Sequence, residues 1–273
     1  MNGQVKKFYD DAPEREWARL EKHPIEFRLT AYMLEKHIQP GDRVLDIGGG
    51  PGRYSIHFAR MGCDVTLVDL SDGNIELAKV KAQEAGVKIE AHACDCLELD
   101  RLNLGQFDHV LLMGPLYHLP KEEDRVTAVR KALDRLKPGG TFYASFILLG
   151  SGLIRDLKVG GCIVEDMANP ATNSLVDDII HSRPYTGGAF STVCFYPPDR
   201  IEGFMESFGL EKLHLFGQEG ILAPNEFDIL RRDEAEIECW IDVAKRLLEA
   251  PEMLAFSEHA MYIGRKNGME VSK

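Results

Sequence analysis

Seven consecutive residues, Asp46-Ile47-Gly48-Gly49-Gly50-Pro51-Gly52, have the composition of a ligand-binding turn. Glycines in such a run admit positive φ and let backbone amides approach a ligand that a Cβ would hold off. Three spacings compete for the segment. A phosphate-binding P-loop needs a closing Gly-Lys-Ser/Thr, and no Lys-Ser/Thr follows, so it is excluded. A dinucleotide fingerprint needs Gly-x-Gly-x-x-Gly, but its third glycine would fall on Arg53 or on Ser55, depending on the frame. What is left is Asp-x-Gly-x-Gly-x-Gly, carried by Asp46, Gly48, Gly50 and Gly52. Elsewhere, Cys94 and Cys96 are split by one residue, a poor metal clip, and read as small apolar packing around Asp95. Cys63, Cys162, Cys194 and Cys239 read as core or surface, and His57 as surface or packing. No nucleophile motif and no metal-ligand pair at helical spacing is present, so no metal is expected.

The turn needs a strand before it and a helix after it, and the pattern supplies both. Short β-rich runs occur at Arg43–Ile47, Asp64–Val68, Lys88–His92, Asp108–Met113 and Thr141–Ile147. Helix-like stretches at Arg53–Met61, Asn74–Glu84 and Glu122–Leu136 alternate with them. Alternation at these lengths predicts βαβ units and a doubly wound, parallel α/β sheet. Ser71 is placed to cap the second helix and Gly86 to end it, while Pro138-Gly139-Gly140 reads as the turn before the fifth strand. A helix is expected over Ile25–Ile38. After the fifth strand come one helix near Leu175–Ile180, a second over Asp199–Phe208, a strand at Leu210–Phe216, a strong amphipathic helix over Glu234–Glu249 and a last strand at His259–Arg265. The apolar stripe Ile237, Ile241, Ala244 and Leu248 is either core or a homodimer face. Segments 148–192 and 221–256 are too long for ordinary connections and are read as a cap.

Composition bounds the class. The chain has 273 residues, enough for a large core without disulfide staples, with 44% hydrophobic and 28% charged residues, near the average for a soluble globular protein. Lys plus Arg is 32 against 44 for Asp plus Glu, a net charge of −12, which argues against binding driven by phosphate neutralisation. No apolar run is long enough to span a membrane, and Met1–Asp11 has no signal-peptide core. Six sparse cysteines fit a reduced, cytoplasmic setting.

Together the motifs resemble the class I S-adenosylmethionine-dependent methyltransferases, over roughly residues 40–147 and more weakly at 195–216 and 259–265. Val44 to Gly52 is similar to that family's first motif, and Val65 to Ser71 to its second-strand motif, whose acid, here Asp69, binds the ribose hydroxyls. Cys94-Asp95-Cys96 matches the place of an acid against the adenine amine. Phe107 to Leu119 resembles the fourth strand and active-site loop, and Leu136 to Gly140 the turn before strand five. The resemblance implies a Rossmann-like sheet of seven strands, the last antiparallel, in one domain over 1–273, with lid helices in 1–40 and an α-rich cap formed by the two insertions. It implies S-adenosylmethionine contacts from Asp46, Gly48, Gly49, Gly50 and Gly52, and from Asp69 and Leu70. Asp95, Cys96, Met113 and Gly114 complete the core set, with Tyr9 and Arg19 added from the lid.

The loop Gly114-Pro115-Leu116-Tyr117-His118 then faces the reactive methyl. It lacks the Asn/Asp-Pro-Pro-Tyr of relatives that alkylate amino groups of nucleic acids or proteins. Tyr117 and His118 are the catalytic candidates, His118 as a base near neutral pH. Arg183, Tyr185 and Tyr196 combine cation, aromatic and hydroxyl groups suited to a polar or anionic acceptor. The expected reaction is in-line methyl transfer to a small molecule, in which positioning alone can supply much of the rate. Two rivals stand beside it. One is a tRNA wobble-uridine carboxyl methyltransferase, which the layout also resembles and in which Arg183 and Tyr185 would hold the carboxylate. The other is a non-catalytic S-adenosylmethionine-binding regulator.

Overall fold

Three helices precede the first strand: α1 (Asn2–Asp10), α2 (Pro13–Lys22) and α3 (Pro24–Leu34). The computed structural model describes residues 2–160, 163–188 and 192–268; Cys162 lies outside them. From Arg43 the chain runs β1 (Arg43–Ile47), α4 (Arg53–Arg60), β2 (Asp64–Asp69), α5 (Asp72–Glu84), β3 (Glu90–Ala93), β4 (Phe107–Leu112), α6 (Glu122–Asp134) and β5 (Leu136–Leu148). These bounds lie close to those expected from periodicity. The Ser71 hydroxyl accepts the Asn74 backbone N–H at 3.0 Å, capping α5. Pro138-Gly139-Gly140 is not a turn before the strand but an irregularity inside it. Leu136 pairs with Phe107, the register shifts, and regular pairing resumes at Thr141 with His109.

Beyond β5 lie α7 (Ser151–Val159), α8 (Ile163–Ala168) and α9 (Pro170–Ile180), then a hairpin of β6 (Tyr185–Gly188) and β7 (Thr192–Tyr196). The chain continues through α10 (Pro198–Glu206), β8 (Leu210–Gly217), α11 (Glu226–Ile229), α12 (Glu234–Leu247) and β9 (His259–Lys266). Strands β3, β2, β1, β4 and β5 are parallel neighbours, β9 runs antiparallel beside β5, and β8 pairs with β9. These are the seven expected strands. The β6–β7 hairpin raises the described sheet to nine. It joins β5 only at Ile147 and Leu148, beyond the end of β4 and above the loop that follows it. Thr192–Tyr196 is β-branched and aromatic, a readable strand signal obscured by its glycine-rich surroundings.

Alternate strand residues point to opposite sheet faces, which divides the core. Leu45, Ile47, Val110, Leu112 and Phe142 pack with Ala128 and Val129 of α6 and Ile201 and Met205 of α10. Val44, Leu111, Tyr143 and Met261 pack on the other face with Leu29 and Leu34 of α3, Phe58 of α4, and Ile237, Ile241, Ala244 and Leu248 of the α12 region. The stripe of α12 is therefore core. No helix among the described residues is long and apolar enough to cross a membrane.

Candidate active site

The C-terminal ends of β1, β2 and β4 meet along one edge of the sheet, and the N-terminal end of antiparallel β9 reaches the same edge. A cavity of about 220 Å³ opens there. One end is built by the glycine turn. Gly48 has φ +75°, and a Cβ on it would run into the Pro115 ring; a Cβ on Gly49 would meet the Asp46 carboxylate and Leu67. The turn is thus pressed against the β4 loop on one side and an acid on the other, and only glycine fits. Gly48, Gly49 and Gly50 line the cavity, whereas Gly52 does not. Gly52 sits at φ +87° at the start of α4, where a Cβ would press on the Ala78 side chain, so its place is structural.

Two buried carboxylates bracket the turn. Asp46 accepts the Ser55 hydroxyl at 2.7 Å. Asp69 accepts the Gly50 amide at 2.8 Å, the Ser71 amide at 2.9 Å and the Asn74 side-chain amide at 3.3 Å. Burial pushes the Asp46 carboxyl up to about 6, with nearby Asp69 adding to the effect and Ser55 opposing it. Burial also raises Asp69, against its three hydrogen bonds. Neither acid forms an ion pair with a described residue. Two acids held in a dry cradle of amides suit a ligand bringing positive charge and hydroxyl donors. Leu70, Asp95, Cys96, Met113 and Gly114 also line this end. Asp95 accepts the Leu97 amide at 2.9 Å, opening a short 3-10 turn. Cys96 is packed in the core cluster, and burial pushes its thiol and that of Cys94 upward, away from ligand chemistry.

The middle of the cavity takes Tyr9 and Arg19 from α1 and α2, and Tyr117 and His118 from the loop after β4. The Tyr9 hydroxyl lies 2.9 Å from His118 Nε2, and His118 also has a backbone hydrogen bond with Thr192 of β7. Burial pulls the His118 imidazole down to about 4, so it is neutral at physiological pH and a weak base. Arg19 is held by Glu16 through two hydrogen bonds, of 2.9 and 2.6 Å.

The far end holds groups that periodicity and motif did not single out. Lys158 of α7 pairs with Glu226 at 3.0 Å and with Glu258, and Glu226 also meets His23 Nδ1 at 2.6 Å. Glu26 accepts the Tyr54 hydroxyl at 2.6 Å and the Gln218 amide at 3.0 Å, and burial raises its carboxyl. Glu219 takes the backbone N–H groups of Glu258 and His259 and the His259 ring at 2.6 Å. The one sequence signal for this cluster was the antiparallel last strand, which puts its first residue, His259, at the ligand edge.

The three residues expected to hold the acceptor are not at the cavity. Arg183 is exposed and paired with Asp178 at 2.9 Å. Tyr185 packs on Phe195 and donates to the Gly188 carbonyl at 3.1 Å. Tyr196 points into the core, between Phe146 and Phe204 and beneath Arg125. The alternation of β7 explains the last case, since its end residue faces the sheet interior rather than the edge.

A family model described as a methyltransferase domain matches residues 44–140, the span from β1 to β5 that carries the glycine turn, Asp69, Asp95 and the β4 loop. The match stops short of the helices before β1 and of everything after β5 has begun. A ubiquinone biosynthesis O-methyltransferase of Xanthomonas campestris pv. campestris is 34% identical over 114 residues, 42% of this chain and 46% of that protein. The chain thus spans about half the length of the curated relatives it matches. A Burkholderia thailandensis 1,6-didemethyltoxoflavin-N1-methyltransferase with bound 1,6-didemethyltoxoflavin and S-adenosylhomocysteine matches at 16% identity and TM-score 0.61, over 97% of this chain and 88% of that one. A magnesium protoporphyrin IX methyltransferase from Synechocystis PCC 6803 with bound S-adenosylhomocysteine matches at 15% identity and TM-score 0.58, over 97% and 99%. At these identities the two structures establish the fold. The helices α1, α2 and α7, which contribute Tyr9, Arg19 and Lys158 to the cavity, lie outside the matched span.

Proposed function

We propose that the protein transfers the sulfonium methyl of S-adenosylmethionine to a small-molecule acceptor. The observation that carries this reading is the pair of buried acids, Asp46 and Asp69, with no ion pair to a described residue, on either side of a turn that admits only glycine. Asp69, its geometry set by three hydrogen bonds, is oriented to accept two ribose hydroxyls. Asp95 takes the adenine amine, and Asp46 the ammonium of the amino-acid end. Gly48, Gly49, Gly50 and Gly114 let the ligand lie against bare backbone, while Leu70, Cys96 and Met113 supply apolar contact. When bound, the cofactor supplies an activated methyl on a positively charged sulfur with a good leaving group. The chain's part is to exclude water and fix the line of attack. Tyr9, Arg19, Tyr117 and His118 close the middle of the site, with α1 and α2 as a lid over the cofactor.

The small acceptors named for the relatives support a small acceptor here, as does the acidic far end of the cavity. A carboxylate acceptor, as in the wobble-uridine reaction, would need an unpaired cation there. Of the Lys and Arg side chains lining the cavity, Lys158 is paired with Glu226 and Glu258 and Arg19 with Glu16, while Arg53 is turned to the Leu20 and His23 carbonyls and over the Phe27 ring. Free thiols at Cys63, Cys94, Cys96, Cys194 and Cys239 suit a cytoplasmic setting. Calorimetry with S-adenosylhomocysteine tests the reading. Saturable binding that weakens at least ~100-fold in Asp69→Ala is expected from the loss of charge-assisted hydrogen bonds; no binding at millimolar ligand rejects it.

A further inference from the structure

The His118 imidazole is desolvated and tied to Tyr9 and Thr192, leaving it poorly suited to take a proton. A second histidine lines the same cavity in a different state. His259 opens β9 beside Ile147 at the end of β5, on the ligand edge of the sheet. Its Nδ1–H donates to Glu219 Oε1 at 2.6 Å, and Glu219 Oε2 accepts the amides of Glu258 and His259 at 3.1 and 3.0 Å. Glu219 is 3% exposed, so both its oxygens are committed in a fixed orientation. With the Nδ1 proton on the carboxylate side, the lone pair of the neutral ring is on Nε2. Nε2 has no hydrogen bond with a described residue, and the ring lies 6.2 Å, centroid to centroid, from Tyr117 of the loop that faces the methyl. A carboxylate that orients an imidazole and stabilises its cation is the arrangement by which histidine serves as a general base.

We propose that His259 is the catalytic base and Glu219 its positioning residue, and that the acceptor is a neutral hydroxyl compound. The inference rests on the methyl-transfer reading and adds to it the acceptor atom. A hydroxyl is a weak nucleophile until its proton leaves, whereas a neutral amine needs no base to attack. As the acceptor oxygen forms its bond to the methyl carbon, the carbon–sulfur bond breaks and its electron pair stays on sulfur. The hydroxyl proton passes to His259 Nε2, the imidazolium is held by Glu219, and the proton is later released to water. The acids around the ring, Glu219, Glu258, Glu26 and Glu226, disfavour an anionic acceptor, and the one lysine among them, Lys158, is paired.

The same surroundings set the pH dependence. Burial pulls the His259 ring down, but Glu219, with Glu258 and Glu26 behind it, outweighs burial and raises it above the ordinary histidine value. Lys158 pairs with Glu226 and Glu258, His23 with Glu226, and Tyr117 faces the ring from the β4 loop with His118 behind it. The base form therefore accumulates only as pH rises through that raised value, and the rate should climb with pH to a plateau.

Two readouts test this. Histidine imidazole nitrogen NMR of the ligand-free protein, with His259 assigned by its loss in His259→Asn, should show a midpoint above an ordinary histidine. Glu219→Gln should lower it by about one pH unit. Transfer from methyl-labelled S-adenosylmethionine is then measured with catechol and with benzylamine as probes. Catechol should be labelled, and His259→Asn should lower kcat by at least ~100-fold with S-adenosylhomocysteine affinity retained and the pH rise abolished. Glu219→Gln should lower kcat less and move the pH rise downward. The base assignment is overturned by an unchanged rate in His259→Asn, by an ordinary or lowered midpoint, or by labelling of benzylamine alone or of neither probe while S-adenosylhomocysteine binds. Failure of wild-type protein to bind S-adenosylhomocysteine overturns the methyl-transfer reading itself, a separate result.

Discussion

Asp46 links burial to ligand affinity through a single proton. Its carboxyl titrates at about 6 because it is dry and close to Asp69. Below that pH the ligand-free protein holds the acid neutral, and its attraction for an ammonium is lost. S-adenosylhomocysteine affinity should thus fall about tenfold between pH 7.5 and pH 5, a change calorimetry can follow and one that Asp46→Asn should remove. The stability sign is opposite. A carboxyl whose folded value lies above its unfolded value stabilises the fold at low pH, and that contribution is lost as pH rises through about 6. Ligand-free Asp46→Asn should therefore unfold at higher denaturant than wild type at pH 8, by on the order of 2 kcal/mol, and by less at pH 5. Equal midpoints at pH 8 would remove the burial argument. At this scale the glycine turn, Asp69 and Asp95 were legible because motif spacing specifies local backbone. Glu219 and His259 were not, since 40 positions and a strand reversal separate their approach from any local pattern.

Elements differ in how much of the fold they hold. The α12 stripe closes one face of the sheet, with Ile241 fully buried against the α3 cluster. Ile241→Ala should cost about 2–5 kcal/mol in denaturant unfolding, as large-to-small core changes do. By contrast Leu157 of α7 is 76% exposed, and Leu157→Ser should stay within about 0.5 kcal/mol. A reversed ranking would mean that α12 is peripheral. The amphipathic period of α12 was legible, but whether its stripe faced the core or a second copy was not, because period 3.6 defines a face and not its partner. The β6–β7 hairpin shows the other limit. Its pairing with β5 at two residues depends on where β4 stops, which no strand propensity encodes.

Across the whole molecule, the net charge of −12 sits with an acid-lined cavity, which together favour a compact, uncharged or cationic ligand over a polyanion. Total tRNA should give no electrophoretic shift at micromolar protein and physiological salt; a shift that weakens steeply with salt would return a nucleic-acid acceptor to consideration. The sequence by itself determined the β/α alternation, the sheet class, the glycine turn and the acids at the strand ends. Each of these is written within a few residues of chain, where backbone conformation and hydrogen bonding are local. Only the tertiary structure decided which side chains share the cavity. It moved Arg183, Tyr185 and Tyr196 away from the ligand edge, tied His118 to Tyr9, and brought Glu219 and His259 together. The reason is physical: burial and ion pairing depend on contacts between distant segments, and those contacts set which polar group is left able to react.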